Sequence, residues 1–412
     1  MNTKLDILEL SSFLNGKTPG MAQRSSIELL ASLFEIHFID IKEIKQEQCT
    51  LLFIASGGSE EKFLQIESKL PKPIILVSDS YNNSLPAALE ISSWLHSKGK
   101  SFSHINIPSN PSQDFVETLE SQIHETSKIQ KALSAISNYK IALIGGESPW
   151  LISSKTDISY ISDYYGPVFF ETSTESIERE FFQEHCDDDE SQKLIKMLSS
   201  SSKAPCIDEK SVAEAVKLYK VLKRFTQNNN VDALTIKCFD FLDSCKTTAC
   251  LALALLNDQG IVCGCEGDIP SLWSMIVAKE ICGGPTFMAN PSSIDVQENS
   301  IDFAHCTAPL SMGEQLLLDT HYESGIGIGI ASSIKPGEYT LFKNSGELLE
   351  KSYCFHGEII QNTNIAERCR TQVKFRFHDP NDLEKFKNTF LGNHTILIPG
   401  NHKQTLEKFI SI

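Results

Sequence analysis

The chain has 412 residues, 41% of them apolar and 22% charged, with a formal net charge of -16 at pH 7. This length is more than one hydrophobic core normally fills, so two or three domains are expected, and the composition excludes a disordered chain. Acidity of this size, with no Lys/Arg run long enough to track a phosphate backbone, excludes nucleic acid as the expected partner and serves solubility instead.

The first 17 residues, MNTKLDILELSSFLNGK, mix charges into their apolar pattern and lack a small-residue cleavage site. No uninterrupted apolar stretch reaches about 18 residues, so a cytoplasmic protein without a membrane partner is expected. In chain order, TLLFIASGG, PIILVSDS with the helical pattern AALEISSWLHSKGK, and KIALIGGESPW give the strand-helix rhythm of a parallel sheet. Ligands bind beyond the carboxyl ends of such strands, which marks Gly57, Gly58, Ser59, Gly145 and Gly146 as loop positions of interest. Neither GGSEEK nor GGESPW has the spacing of a dinucleotide fingerprint.

Residues 177–212 are polar and acidic and are expected to form a connection. The run Asp187-Asp188-Asp189-Glu190 lacks the glycine and alternating ligands of a calcium loop and is expected as a solvated turn, and the helix SVAEAVKLYKVLKRFTQ follows. From residue 231, ALTIKCFDFL, TTACLALALLNDQG, IVCGCEGD and IPSLWSMIVAKEICGG predict strand, helix, strand and helix, with a further strand at PTFMANP. Beyond Pro291, short alternating runs such as IDFAHCTAPL, GEYTLFKN, SYCFHGEII and TQVKFRF are separated by Gly, Pro and Asn, the texture of an antiparallel sheet or barrel. SGIGIGIA lacks the Lys-Ser or Lys-Thr of a phosphate loop and is expected as a strand with one bare face. The expected fold is therefore α/β: two Rossmann-like parallel-sheet domains, 1–140 and 141–290, followed by a β-rich, barrel-like domain, 291–412.

Twelve cysteines lie scattered through the chain, several in apolar runs, as in TTACLALALL and KEICGG. Buried free thiols are expected rather than a disulfide scaffold. Cys263 and Cys265 form a C-x-C pair without the second Cys/His pair that structural zinc needs and without the C-x-x-C spacing of thiol oxidoreductases.

CEGDIP sets Glu266 and Asp268 at the end of an apolar run and directly before a helix. Asp268 is expected to cap that helix, whereas Glu266, flanked by Cys263, Cys265 and Ile269, is expected to be partly buried and in want of a metal or cation. His321 and Glu323 in THYESG would share one face of a strand. His305 and His402 are expected to be hydrogen-bonded or core residues.

CEGDIPSLWSMIVAKEICGGPTFMANP, FAHCTAPLSM, THYESGIGIGI and GNHTILIPGNH together resemble the catalytic half of L-fucose isomerase and its shorter fucose-isomerase-like relatives, within the L-fucose/L-arabinose isomerase superfamily. The resemblance spans roughly residues 230 to 412; before it, only general texture agrees. It implies an aldose-ketose isomerase working through an enediol with a divalent metal, most often manganese, bound by Glu, Asp and His. It places the Glu at Glu266 and the His at His394, while the position of the Asp falls on Asn290. Metal ligands Glu266, Asn290 and His394, a catalytic pair Glu266 and Asn290, and His321, Glu323 and Asp268 around a sugar substrate are thus the expected site. The resemblance also implies a homo-oligomer, trimer or hexamer.

Asn in place of Asp keeps an oxygen ligand but removes a charge and a proton acceptor, so one proton-transfer role passes to Asp268, Glu323 or His321. For the same reason a non-catalytic carbohydrate-binding or regulatory relative is the alternative reading.

Overall fold

The computed structural model describes residues 4–12, 24–45, 48–201 and 207–411. Two compact units result, Met1–Ala135 with Lys408–Ile412, and Ile136–Glu407.

The first unit carries five strands, β1 (Lys4–Leu10), β2 (Glu35–Ile39), β3 (Thr50–Ile54), β4 (Ile74–Asp79) and β5 (Phe102–Ile107), all parallel in the order β2-β1-β3-β4-β5. The inner strands TLLFI and IILVSD are buried throughout, as parallel strands covered on both faces must be, while β2 at the edge is mostly exposed. Alternation sorts the strand residues between two cores: Leu5, Ile7, Leu51 and Phe53 pack with Ile27, Leu30 and Leu119, and Leu8, Leu10, Leu52 and Ile54 with Ala87, Ile91 and Leu95. Each such large apolar side chain contributes about 1.5–3 kcal/mol of burial.

The second unit begins with a parallel sheet of β6 (Lys140–Ile144), β7 (Val168–Thr172), β8 (Ala233–Ile236) and β9 (Val262–Cys265), in the order β7-β6-β8-β9. Its chain then builds β10 (Phe287–Asp295) and β11 (Ser300–His305), and the short strands β12 (Gly313–Gln315), β13 (Leu318–Asp319), β14 (Gly329–Ile330) and β15 (Ser333–Ile334). Four further strands follow: β16 (Gly337–Ser345), β17 (Lys351–Asn362), β18 (Thr371–Phe377) and β19 (Thr395–Pro399). Six of these close an antiparallel barrel, β10-β11-β18-β17-β16-β19, sealed where Ala289 meets Thr395. Alternate residues, among them Phe287, Ala289, Phe303, Leu341, Phe355, Phe375 and Leu397, form one core with the helices Asp189–Ser199 and Glu209–Asn229. The expected fold class, two parallel-sheet α/β parts and a β-rich part with a closed barrel, is present. Among the described residues no helix is long and apolar enough to cross a membrane.

Three expectations need correction, the first being that His321 and Glu323 lie in a turn between β13 and β14 and not on one face of a strand. The polar stretch 177–212 is no plain connection: it includes most of the helix Thr174–Gln183 and all of Asp189–Ser199, the latter capped by Asp188, whose carboxylate accepts from Ser191 N at 2.9 Å. The acidic run is thus a helix start; part of the SSSSK cluster, at 202–203, lies outside the described residues. SGIGIGIA is strand only at Gly329–Ile330, because Gly325 and Gly327 sit at φ +67° and +63°, which no strand accommodates.

Candidate metal centre

Strand β9 stops at Cys265, and the chain turns through two left-handed residues, Glu266 at φ 60° and Gly267 at φ 63°. A Cβ on Gly267 would fall 2.5 Å from Gly146 O, so the loop after β9 is pressed onto the loop after β6 in a way only glycine permits. Glu266 has no such licence. The left-handed conformation costs a residue with a Cβ about 1–2 kcal/mol, the kind of strain that collects at functional sites. Asp268 then caps the buried helix Ile269–Cys282, accepting from Ser271 N at 2.9 Å, with Pro270 in its first turn.

Two imidazoles meet Glu266. His305, the last residue of β11, has Nε2 at 3.7 Å from Glu266 Oε1, and His394, just before β19, has Nε2 at 3.5 Å. One ligand atom from each of the three residues lies within 4.8 Å of the other two. His394 is wholly buried, and its Nδ1–H donates to Asp268 Oδ2 at 2.8 Å. This fixes the ring and turns Nε2 toward Glu266, the carboxylate–imidazole arrangement of metal-binding histidines. Nε2 itself has no hydrogen-bond partner, and neither has the buried Oδ1 of Asn290, which stands in β10 in register with Ala304, the neighbour of His305. Buried polar atoms left without a partner in this way call for a ligand. Behind Asp268 stands Lys343, fully buried on β16, with Nζ 3.6 Å from Oδ2 and a further hydrogen bond to Ser271 Oγ.

Burial alone would push Glu266 up, but His305 and His394 outweigh it and hold the carboxyl well below its usual range. Asp268 behaves alike, burial being overcome by Lys343 and His394. His394 is raised to about 9: burial opposes its charge, yet Asp268 and Glu266 prevail. His305 is lowered, by burial first and then by the charge on His394, against the pull of Glu266. The buried set therefore balances as two carboxylates against Lys343 and a proton on His394. A divalent cation in that proton's place would raise the charge of the set by one, which an anionic oxygen of a bound ligand can balance. The donors, one carboxylate and two imidazoles, fit manganese and its first-row neighbours.

The approach to Glu266 is aromatic. Trp150, in the loop after β6 and 46% exposed, donates from Nε1 to Glu266 Oε2 at 3.4 Å, and its ring meets Phe239 edge-on at 5.5 Å. Phe239 in turn packs against His321 at 5.8 Å. His321 is lowered to about 4 by burial and by the nearby charge of His305. Its Nε2 lies 3.7 Å from Glu323, a half-exposed carboxyl raised by its partial burial and by Glu266.

Of the expected residues, Glu266, His394 and Asp268 are in direct contact, and His321 and Glu323 pair with each other beyond the aromatic wall. His402 lies apart, its Nε2 on Pro399 O. His305, set aside as a core residue, is buried as expected and yet joins the cluster; Trp150 and Lys343 carried no signal of their own, although GGESPW did mark the loop that bears Trp150. Cys265 donates to Cys238 Sγ at 3.2 Å, and none of the described cysteines forms a disulfide.

No family model matches the chain. Sulfoquinovose isomerase of Clostridium sp. (strain MSTE9) is 30% identical over 166 residues, 36% of this chain and 36% of that protein. The sulfoquinovose isomerases of Priestia aryabhattai and Priestia megaterium (strain ATCC 12872 / QMB1551) are each 23% identical over 238 residues, 56% of this chain and 52% of theirs. The matched stretch thus spans from about a third to about half the length of these curated relatives. At that distance and over that span, the chain is a low-identity relative of sugar isomerases.

Proposed function

We propose that the protein is a metal-dependent aldose-ketose isomerase of the L-fucose isomerase type, acting on an open-chain sugar through an enediol. The observation that carries this reading is the convergence of Glu266, His305 and His394, with His394 pinned through Nδ1 and its Nε2 left unpartnered. Glu266, His305 and His394 would hold the ion, with Asn290 adding a neutral oxygen. When bound, a divalent ion, here taken as manganese, lowers the cost of negative charge on the two sugar oxygens.

Glu266 takes the proton from C2 of the aldose and, after partial exchange with water, delivers a proton to C1. Trp150 N–H, on its second oxygen, keeps the carboxylate oriented between the two carbons. A second proton must pass from the C2 hydroxyl to the C1 oxygen. Asn290 cannot accept it, and Asp268 is fully buried with both oxygens engaged. Glu323, half exposed with its carboxyl raised, and neutral His321 beside it are the groups we assign to that step. Asp268 acts through His394 as a positioning residue rather than on the sugar. Phe239 and Trp150 exclude water and offer an apolar face to the sugar carbons.

The relatives' name directs the choice of substrate to a sulfonated aldose, and assembly as a trimer or hexamer belongs to the same reading. The protein loaded with manganese, incubated in deuterated water with sulfoquinovose, L-fucose and other aldoses, is expected to form the ketose and to place deuterium on C1. Activity should vanish with a chelator and return with manganese. Sugar binding without exchange at any carbon would instead favour the non-catalytic relative, with Asn290 as its cause.

A further inference from the structure

A second set of metal-ligating side chains lies on the outer face of the barrel, apart from the site above. Strands β16, β17 and β18 are neighbours, with Thr340 opposite His356, Glu338 opposite Glu358 and Gly357 opposite Phe377. The backbone bond from His378 N to His356 O, 3.3 Å, carries the β17–β18 register one residue further, so the two histidines stand directly across from each other. Tyr339, Leu341, Phe355 and Phe377 fill the inner face; strand alternation therefore sets Glu338, His356 and His378 together on the other.

There the three converge. His356 Nε2 is 2.6 Å and His378 Nε2 2.8 Å from the same oxygen, Glu338 Oε2, and the imidazole centroids are 4.6 Å apart. We propose that Glu338, His356 and His378 form a second divalent-metal site, one that takes zinc or a similar imidazole-seeking ion.

Two nitrogens and one carboxylate oxygen are a three-ligand zinc set with its fourth position open to water. Tetrahedral bonds of about 2.0–2.2 Å require the donors to spread by less than about 1 Å from where they now touch. The side chains of Glu338 and His378, 53% and 42% exposed, have the room. His356 Nε2, buried and without a well-formed hydrogen bond, is already aimed at the meeting point. Affinity at such a set rises from manganese toward copper and zinc, so this site and the interior one separate by metal as well as by place, and neither depends on the other.

Equilibrium dialysis against zinc, followed by elemental analysis, tests this in a His394→Ala background that lacks the interior ligand. That protein should retain about one zinc ion per chain. Adding His356→Ala or, separately, His378→Gln should abolish it, with circular dichroism unchanged. Each of these two single variants in the parent chain should keep its interior manganese and its isomerase turnover. Zinc retained in full by the His356→Ala/His378→Gln double variant, or none held by His394→Ala itself, would overturn the proposal.

Discussion

The two parallel sheets both lead into Gly-Gly loops, GGSEE after β3 and GGESPW after β6, yet their polar carboxyl ends are opposites. At the first, the Asp79 carboxylate closes on its own surroundings, with only the donor Nε of its partner Arg24 left over there among the described residues. Its carboxylate receives Arg24 at 3.2 and 3.3 Å, Ser26 Oγ at 2.8 Å and Tyr81 N at 3.0 Å, and the Arg24 guanidinium also donates to Ala55 O at 2.8 Å. At the second, Glu266, His305 and His394 approach one another without completing their bonds, and His394 Nε2 and Asn290 Oδ1 are left over. Buried polar residues that close on each other hold a fold; those that leave acceptors over await something else.

This contrast is open to attack by substitution. Asp79→Ala leaves Arg24 charged and buried without its partner, and should cost the first unit about 3–5 kcal/mol in urea unfolding of the whole chain. A loss under about 1 kcal/mol would mean the pair is no more than a surface-grade contact. Glu266→Gln should show the reverse pattern. Isomerisation should fall at least about a hundredfold, the usual minimum for losing a general base, with a smaller stability loss than Asp79→Ala because His394 keeps Asp268 and can shed its proton.

Asp268→Asn sharpens the comparison further, since Asn still caps the helix but presents an amide where His394 needs a carboxylate. Manganese affinity should drop about 10–100-fold, the scale for losing a group that orients a ligand, with little change in helix content. Taken per unit, the smallest effect is that of pH. His394 is raised to about 9 and must lose its proton to bind through Nε2, so the proton competes with the metal throughout the range below that value. Manganese affinity should therefore rise with pH by up to roughly tenfold per unit, levelling near 9; a flat profile from pH 6 to 9 would remove His394 from the ligand set.

Much of the fold was legible because its signals are local. The buried strands TLLFI and IILVSD, the helix beginning at Pro270 and the alternating runs beyond Pro291 declare themselves by period and by their flanking Gly and Pro. The failures share a cause: charge-rich stretches read as loops when a cap and tertiary packing decide the matter, as at Asp188 and the helix behind it, and a Gly-Ile alternation hides left-handed glycines. In the candidate site, Glu266 was marked by its place at the end of a strand before a helix. His305 was not, because a single histidine at the end of a strand looks the same whether its Nε2 meets a serine or a carboxylate 39 residues away in the chain. Lys343 is further still beyond sequence reasoning. Its ammonium is buried without exposure, and only the closed barrel reveals that it faces Asp268 from β16.

The central claim is that Glu266 and His394 hold a divalent ion, and elemental analysis after manganese loading and dialysis meets it most directly. Parent, Glu266→Gln and His394→Ala proteins would be compared at matched fold by circular dichroism. The account predicts about one manganese per chain in the parent and almost none in either variant. A parent that takes up no manganese, or variants that retain it in full, would contradict the account and leave the unpartnered nitrogen of His394 without the ligand it is held to present.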